Sequence, residues 1–180
     1  MKIRAALAAA TVSLALAAAG ASYAAATAGT PVPGNVPAQI RAATAQYHDL
    51  DAAKAAGWST LFADTSGLTC IVDTGMPSMG GMGYHWVNGA NIGSTDPTEP
   101  AALIYRSSPS GKAQLVGMEY LVPDPTGTVP QPFLGGQPFM WTPPNNRFLG
   151  PVGFWSLHVW AWDHNPSGLY AMWNPRITCP

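Results

Sequence analysis

The chain has 180 residues, of which 47% are hydrophobic and only 9% charged, and its formal net charge is −1. Soluble domains ordinarily carry about a quarter charged residues. So low a charge, with no basic excess, excludes a nucleic-acid binder, which needs a cationic stripe to neutralise phosphates, and the apolar content excludes a disordered tail.

The first 28 residues have the layout of a secretory signal peptide. Lys2 and Arg4 form a basic start, an Ala- and Leu-rich run follows, and small residues allow cleavage after Ala24 or Ala28. The run is too short and Ala-rich for a membrane anchor, and no later stretch can span a bilayer. Removal of the leader leaves six basic against nine acidic residues, and about 155 residues, enough for one domain with its own core. The expectation is a secreted or extracytoplasmic protein.

Residues 29–36, "GTPVPGNV", read as an extended lead-in to a single domain over 37–180. From Pro37, "PAQIRAATAQYHD" has helical spacing, with Ile40, Ala43 and Tyr47 on one face. Asp49 is an N-cap candidate for a second short helix, "LDAAKAAG", that Gly57 ends. Period-two and short apolar runs then take over. They predict strands over 68–72, 84–87, 102–106, 114–122, 154–162 and, shorter, 168–173. "SPSG" at 108–111 and "NPSG" at 165–168 are turn sequences that predict hairpins. The fold class is therefore α+β: an N-terminal helical segment followed by a mainly antiparallel β-sheet or small barrel.

The segment 123–153 is rich in Pro and Gly, with eight prolines, yet it also holds Phe133, Phe139, Met140, Trp141 and Phe148. Long loops in compact domains are functional or disordered, and the aromatics argue against disorder. Two readings stand: a loop wrapped over a sheet edge, or a lid across residues 133–141 closing a pocket.

Cys70 and Cys179 are the two cysteines. In an oxidising compartment an even pair reads as a disulfide; free metal-binding thiols are the rival reading.

Glu119 lies in "LVGMEYLV", apolar on both sides. A buried carboxylate needs a partner, which here is an arginine such as Arg106 or Arg176, a histidine, or a metal. By alternation Leu115, Gly117, Glu119 and Leu121 share a face opposite Val116, Met118, Tyr120 and Val122. His158 shares its face with Phe154, Ser156, Trp160 and Trp162, and either packs as a core histidine or acts as a ligand. His85 follows the glycine-rich "GGMG", and His48 either caps the first helix or joins a site. Together His85, Glu119 and His158 come from three strands, with His48 as a fourth ligand candidate. Two imidazoles and a carboxylate suit Zn²⁺, Fe²⁺ or Mn²⁺ with open positions for water or substrate. Met76, Met79 and Met82, spaced by three ahead of His85, make copper a weaker option; they also suit gap-filling in a loop. Trp86, Tyr120, Trp160, Phe139 and Trp141 are the expected walls of a small-molecule pocket. There is no nucleophile elbow, phosphate loop or zincin helix, so no reaction is named. The alternative function is a non-catalytic ligand-binding or structural envelope protein with an aromatic-rich face.

The segments "YHDLDAAKAAGW", "MGYHWVN", "LVGMEYLVP" and "LHVWAWDHNPSGLYAMWNP" resemble a family of uncharacterised exported bacterial proteins, over most of the chain that follows the leader. The resemblance implies a shared domain and transfers no activity. It places His48, His85, Glu119, His158 and His164 at motif positions, and "GQPFMW" at the loop ahead of the last hairpin.

Overall fold

The computed structural model describes residues 35–108 and 110–179; the expected leader and most of the expected lead-in lie outside the described residues. The N-terminal helix α1 spans Val36–Thr44 and is capped by Asn35, whose side chain accepts from the Ala38 N–H. A 3₁₀ turn, Ala45–His48, then leads to α2, Leu50–Ala55. Asp49 caps α2 through the Asp51 N–H, and Gly57, at φ +110°, ends it in a conformation that only glycine adopts cheaply.

Nine strands follow. They are β1 (Thr60–Leu61), β2 (Cys70–Val72), β3 (Gly81–Val87), β4 (Ala102–Ser107), β5 (Ala113–Pro123), β6 (Phe133–Leu134), β7 (Gln137–Pro138), β8 (Met140–Thr142) and β9 (Phe154–Val159). Seven of them form one antiparallel sheet in the order β1-β3-β4-β5-β9-β8, with β2 also paired to β3, while β6 and β7 make a separate small hairpin. The α+β expectation holds: a short helical start, then a mainly antiparallel sheet.

The helices cover one face. Val36, Ile40, Ala53 and Trp58 pack there with Leu103, Tyr105, Leu115, Met118, Tyr120, Val122, Leu157 and Val159, all buried. Burial of one such large side chain contributes about 1.5–3 kcal/mol, so this face is the main core. A smaller cluster, Ile104, Val116, Trp160 and Ile177, packs elsewhere.

Four segments differ from the expected ones. Strict alternation along β5 fails at Val116. A bulge between Ile104 and Tyr105 pairs them with Gly117 and Leu115, leaving Val116 without a β4 partner. Leu115 therefore joins Met118 and Tyr120 in the main core, and Val116 joins the smaller cluster. The Val116 carbonyl instead accepts the N–H groups of Trp162 and Asp163. The last strand ends at Val159, not 162, and residues 168–173 form no strand. The "NPSG" turn does close, with Gly168 N–H on the Asn165 carbonyl, and Trp160 N–H reaches the Leu169 carbonyl, but the return segment then coils. The 123–153 segment is not one loop. It holds β6, β7 and the edge strand β8, and Leu134 and Phe139 are buried in the main core.

Cys70 of β2 and Cys179 form a disulfide across a sequence separation of 109, with Cα atoms 5.7 Å apart. The free-thiol reading is thereby excluded. No helix among the described residues is long and apolar enough to cross a membrane.

Candidate metal and ligand site

The sheet face away from the helices holds a cavity of about 440 Å³. Its floor is built by alternation on the central strands. Glu119 sits opposite His158 in the β5–β9 pairing, and His85 comes from β3, on the far side of β4. Period two then supplies the walls. Leu121 and Pro123 follow Glu119 on β5, Ser156 and Phe154 precede His158 on β9, and Val87 follows His85 on β3. Ala102, directly across from Glu119, is small enough to leave the space open. Phe148, Leu149 and Val152 close the cavity from the connection before β9.

Both imidazoles and the carboxyl converge. His85 Nε2 is 3.4 Å from His158 Nε2. Glu119 straddles the pair, with Oε2 3.7 Å from His85 Nε2 and Oε1 3.9 Å from His158 Nε2. The histidines are each 3% exposed, and the Glu119 side chain is 15% exposed, so the carboxyl is the member nearest the opening. The three residues form a group that can hold a metal ion.

The electrostatics favour uncharged forms. Burial pushes Glu119 up to about 8. Burial lowers His85 to about 4, against a weaker opposite pull from the Gly83 backbone. Burial, aided by His85, lowers His158 to about 3. The carboxyl–imidazole contacts are thus not ion pairs, and at 3.7 and 3.9 Å they exceed hydrogen-bond length. His85 Nδ1 is buried with no acceptor or donor in hydrogen-bond geometry. The arginines do not serve Glu119 either: Arg106 binds Asp163 at 2.8 Å, and Arg176 lies 3.9 Å from the same carboxylate.

The cavity cover is pinned by a second polar site. Arg147, next to Phe148, binds the buried Asp64 through Nη2 (2.6 Å) and Nε (3.0 Å), and donates to the Val72 carbonyl. Burial alone would raise the Asp64 carboxyl, but hydrogen bonds from Ser66, Arg147 and the Leu68 backbone outweigh it and hold it well below the usual carboxylate range.

The other expected site residues lie elsewhere. His48 packs edge-on against Trp162, with ring centroids 4.3 Å apart, away from the trio. Tyr120 and Trp86 each adjoin a trio member in sequence, so the pleat turns them to the opposite face, against the main core. Tyr120 donates to the Pro97 carbonyl there. Phe139 is buried beside Tyr120, and Trp141 is a partly exposed neighbour of Trp155, so residues 133–141 are not the lid. Trp160 lies on the His158 side and its ring is roughly parallel to the imidazole, but it packs into the smaller cluster. His164 is exposed. Of the methionine run, Met82 alone reaches the cavity wall, whereas Met76 is exposed. The wall residues Leu121, Phe154 and Ser156 were findable from the sequence by stepping two residues from each trio member.

Comparison of the chain with protein-family models, curated proteins and solved structures finds no match.

Proposed function

We propose that this is an exported protein, like the uncharacterised exported bacterial proteins its segments resemble, and that it holds one divalent ion on His85, Glu119 and His158 with a coordination position open to the cavity. The observation that carries the reading is the donor spacing. One ligand atom from each of the three residues lies within 4.8 Å of the others, and although the two imidazoles approach to 3.4 Å, neither closes on the carboxylate to hydrogen-bond distance. A four-coordinate ion with bonds of about 2.0–2.1 Å sets its ligand atoms about 3.3 Å apart. An octahedral ion sets them at about 3.0 Å. The 3.4 Å imidazole contact matches the first, and the two longer contacts need a small rotation of the carboxyl. Two histidines with one carboxylate are a donor set that zinc takes with a fourth site free and that ferrous iron takes with open positions; zinc is the ion used for the tests below. Copper has weaker support, because the methionine run does not converge on the histidines. Bound there, zinc would act as a Lewis acid toward an oxygen donor in the open position.

Elemental analysis of the untagged, exported protein tests this, beside His85→Ala and His158→Ala. About one metal per chain is expected in the wild type and none in either variant, with the fold retained by circular dichroism. A wild type that holds no metal, and takes up none from zinc, iron, manganese or copper solutions, would end the reading.

The alternative of ligand stacking on an aromatic face has one observation in its favour. Trp141 is 37% exposed and lies 5.0 Å, centroid to centroid, from Trp155 at the sheet edge. Its mark would be tryptophan quenching by a sugar or aromatic ligand, unchanged by chelator and lost in Trp141→Ala.

A further inference from the structure

Apart from the trio, the cavity wall has no ionisable side chain among the described residues; its other polar side chains are Thr60, Thr142 and Ser156. The remainder is aliphatic, aromatic or thioether, including Phe62, Ile71, Leu121, Phe148 and Phe154. Such a wall cannot satisfy a sugar, a nucleotide or a peptide backbone, each of which would leave many polar groups without partners. At about 440 Å³ the space is too large for water bound at a metal alone, having room for about fifteen atoms of water's size. Space bounded by apolar groups is stabilised by an apolar filling.

The charge balance narrows the head group. A divalent ion held by one carboxylate and two neutral imidazoles keeps one positive charge. No other charged side chain on the wall cancels it, and a buried charge needs a partner. We infer that the cavity takes an apolar monoanion, an aliphatic monocarboxylate of about ten carbons, with its head group on the metal and its chain along Leu121, Phe154 and the Phe148–Val152 cover. This inference rests on the metal reading above.

The test is calorimetric titration of decanoate into chelator-stripped protein before and after loading with one equivalent of zinc. Acetate supplies the head group without the chain, and decan-1-ol the chain without the charge. Decanoate is expected to bind the zinc form one to one, at least tenfold more tightly than acetate, decan-1-ol, or decanoate to the stripped form. Leu121→Trp, which fills the wall next to the floor, should retain zinc and lose at least tenfold in decanoate affinity. A wild type that takes up no zinc defeats the metal reading, and this inference with it. Zinc uptake with decanoate no tighter than acetate or decan-1-ol leaves the metal reading standing and overturns this inference alone. The acetate and decan-1-ol comparisons decide the matter even where Leu121→Trp fails to fold.

Discussion

Replacing Glu119 with Gln in the metal-free protein removes one titrating group from the cavity floor and keeps its shape. Burial holds Glu119 at about 8 in the folded chain, against an ordinary 4.5. Between those values the folded state keeps a proton that the unfolded state has lost, so stability falls as pH rises. The imidazoles act with the opposite sign. His85 is lowered to about 4 and His158 to about 3, against an ordinary 6.5, so below 6.5 the unfolded chain binds protons that the folded chain refuses. Stability therefore falls as pH drops below 6.5. From 4.5 to 6.5 two imidazoles outweigh one carboxyl; above 6.5 the carboxyl acts alone, and maximum stability lies near pH 6.5. Asp64, held low, contributes stability that is lost only at lower pH, and Tyr105 and Tyr120 are pushed up beyond this window. Each pH unit of such a difference is worth about 1.4 kcal/mol, so the loss from pH 6.5 to 8 is on the order of 2 kcal/mol. Urea unfolding followed by tryptophan fluorescence, in chelator, at pH 6.5, 7.25 and 8 measures it. The wild type should lose about that much, and Glu119→Gln should be flat. A wild type with no slope, or a variant that keeps the wild-type slope, would show that Glu119 is already ionised and refute the account of the cluster.

Arg147→Ala strands the buried Asp64 carboxylate, and loss of one partner of a buried pair costs about 3–5 kcal/mol, readable as a lowered urea midpoint. Asp64→Asn with Arg147→Ala should recover part of that loss. Removal of both cysteines, by Cys70→Ser with Cys179→Ser, frees a loop of over a hundred residues. The expected loss is about 4–5 kcal/mol on the chain-entropy view, and reductant should then no longer affect unfolding. Gly80→Ala should destabilise by more than about 1–2 kcal/mol, because Gly80 sits at φ +81° and an added Cβ would overlap the Asn174–Pro175 backbone. A thermal shift of only a degree or two would contradict that.

Much of this molecule is legible in its sequence, for identifiable physical reasons. Asp49 and Gly57 bound the second helix because capping is a local hydrogen-bond and φ requirement. The trio is legible because a carboxylate and two histidines inside apolar strands must meet something. The bulge at Val116 was not, since the alternation of β5 looks regular until its pairing with β4 is known. Nor was the end of β9. Residues 160–162 continue the apolar pattern, but Trp160 N–H turns to Leu169 and Trp162 to Val116, bonds fixed by tertiary structure. Trp86 and Tyr120 are not pocket walls because a residue next to a ligand in a strand points away from it, while Trp160, Phe139 and Trp141 are placed by tertiary packing. The cover could not be read either, because Phe148, Leu149 and Val152 follow no period and are placed by the Arg147–Asp64 contact, 83 positions apart.

The bond between Cys70 and Cys179 also makes the stretch between them a closed ring, with the helices carried on a tail. A ring cut once is still one molecule. A protease that nicks the exposed turn at residues 144 and 145 would therefore release no fragment, and the two new ends would stay within reach of the body through Arg147 and the β8–β9 pairing. Such a nicked form would run as one band on a non-reducing gel and as two after reduction.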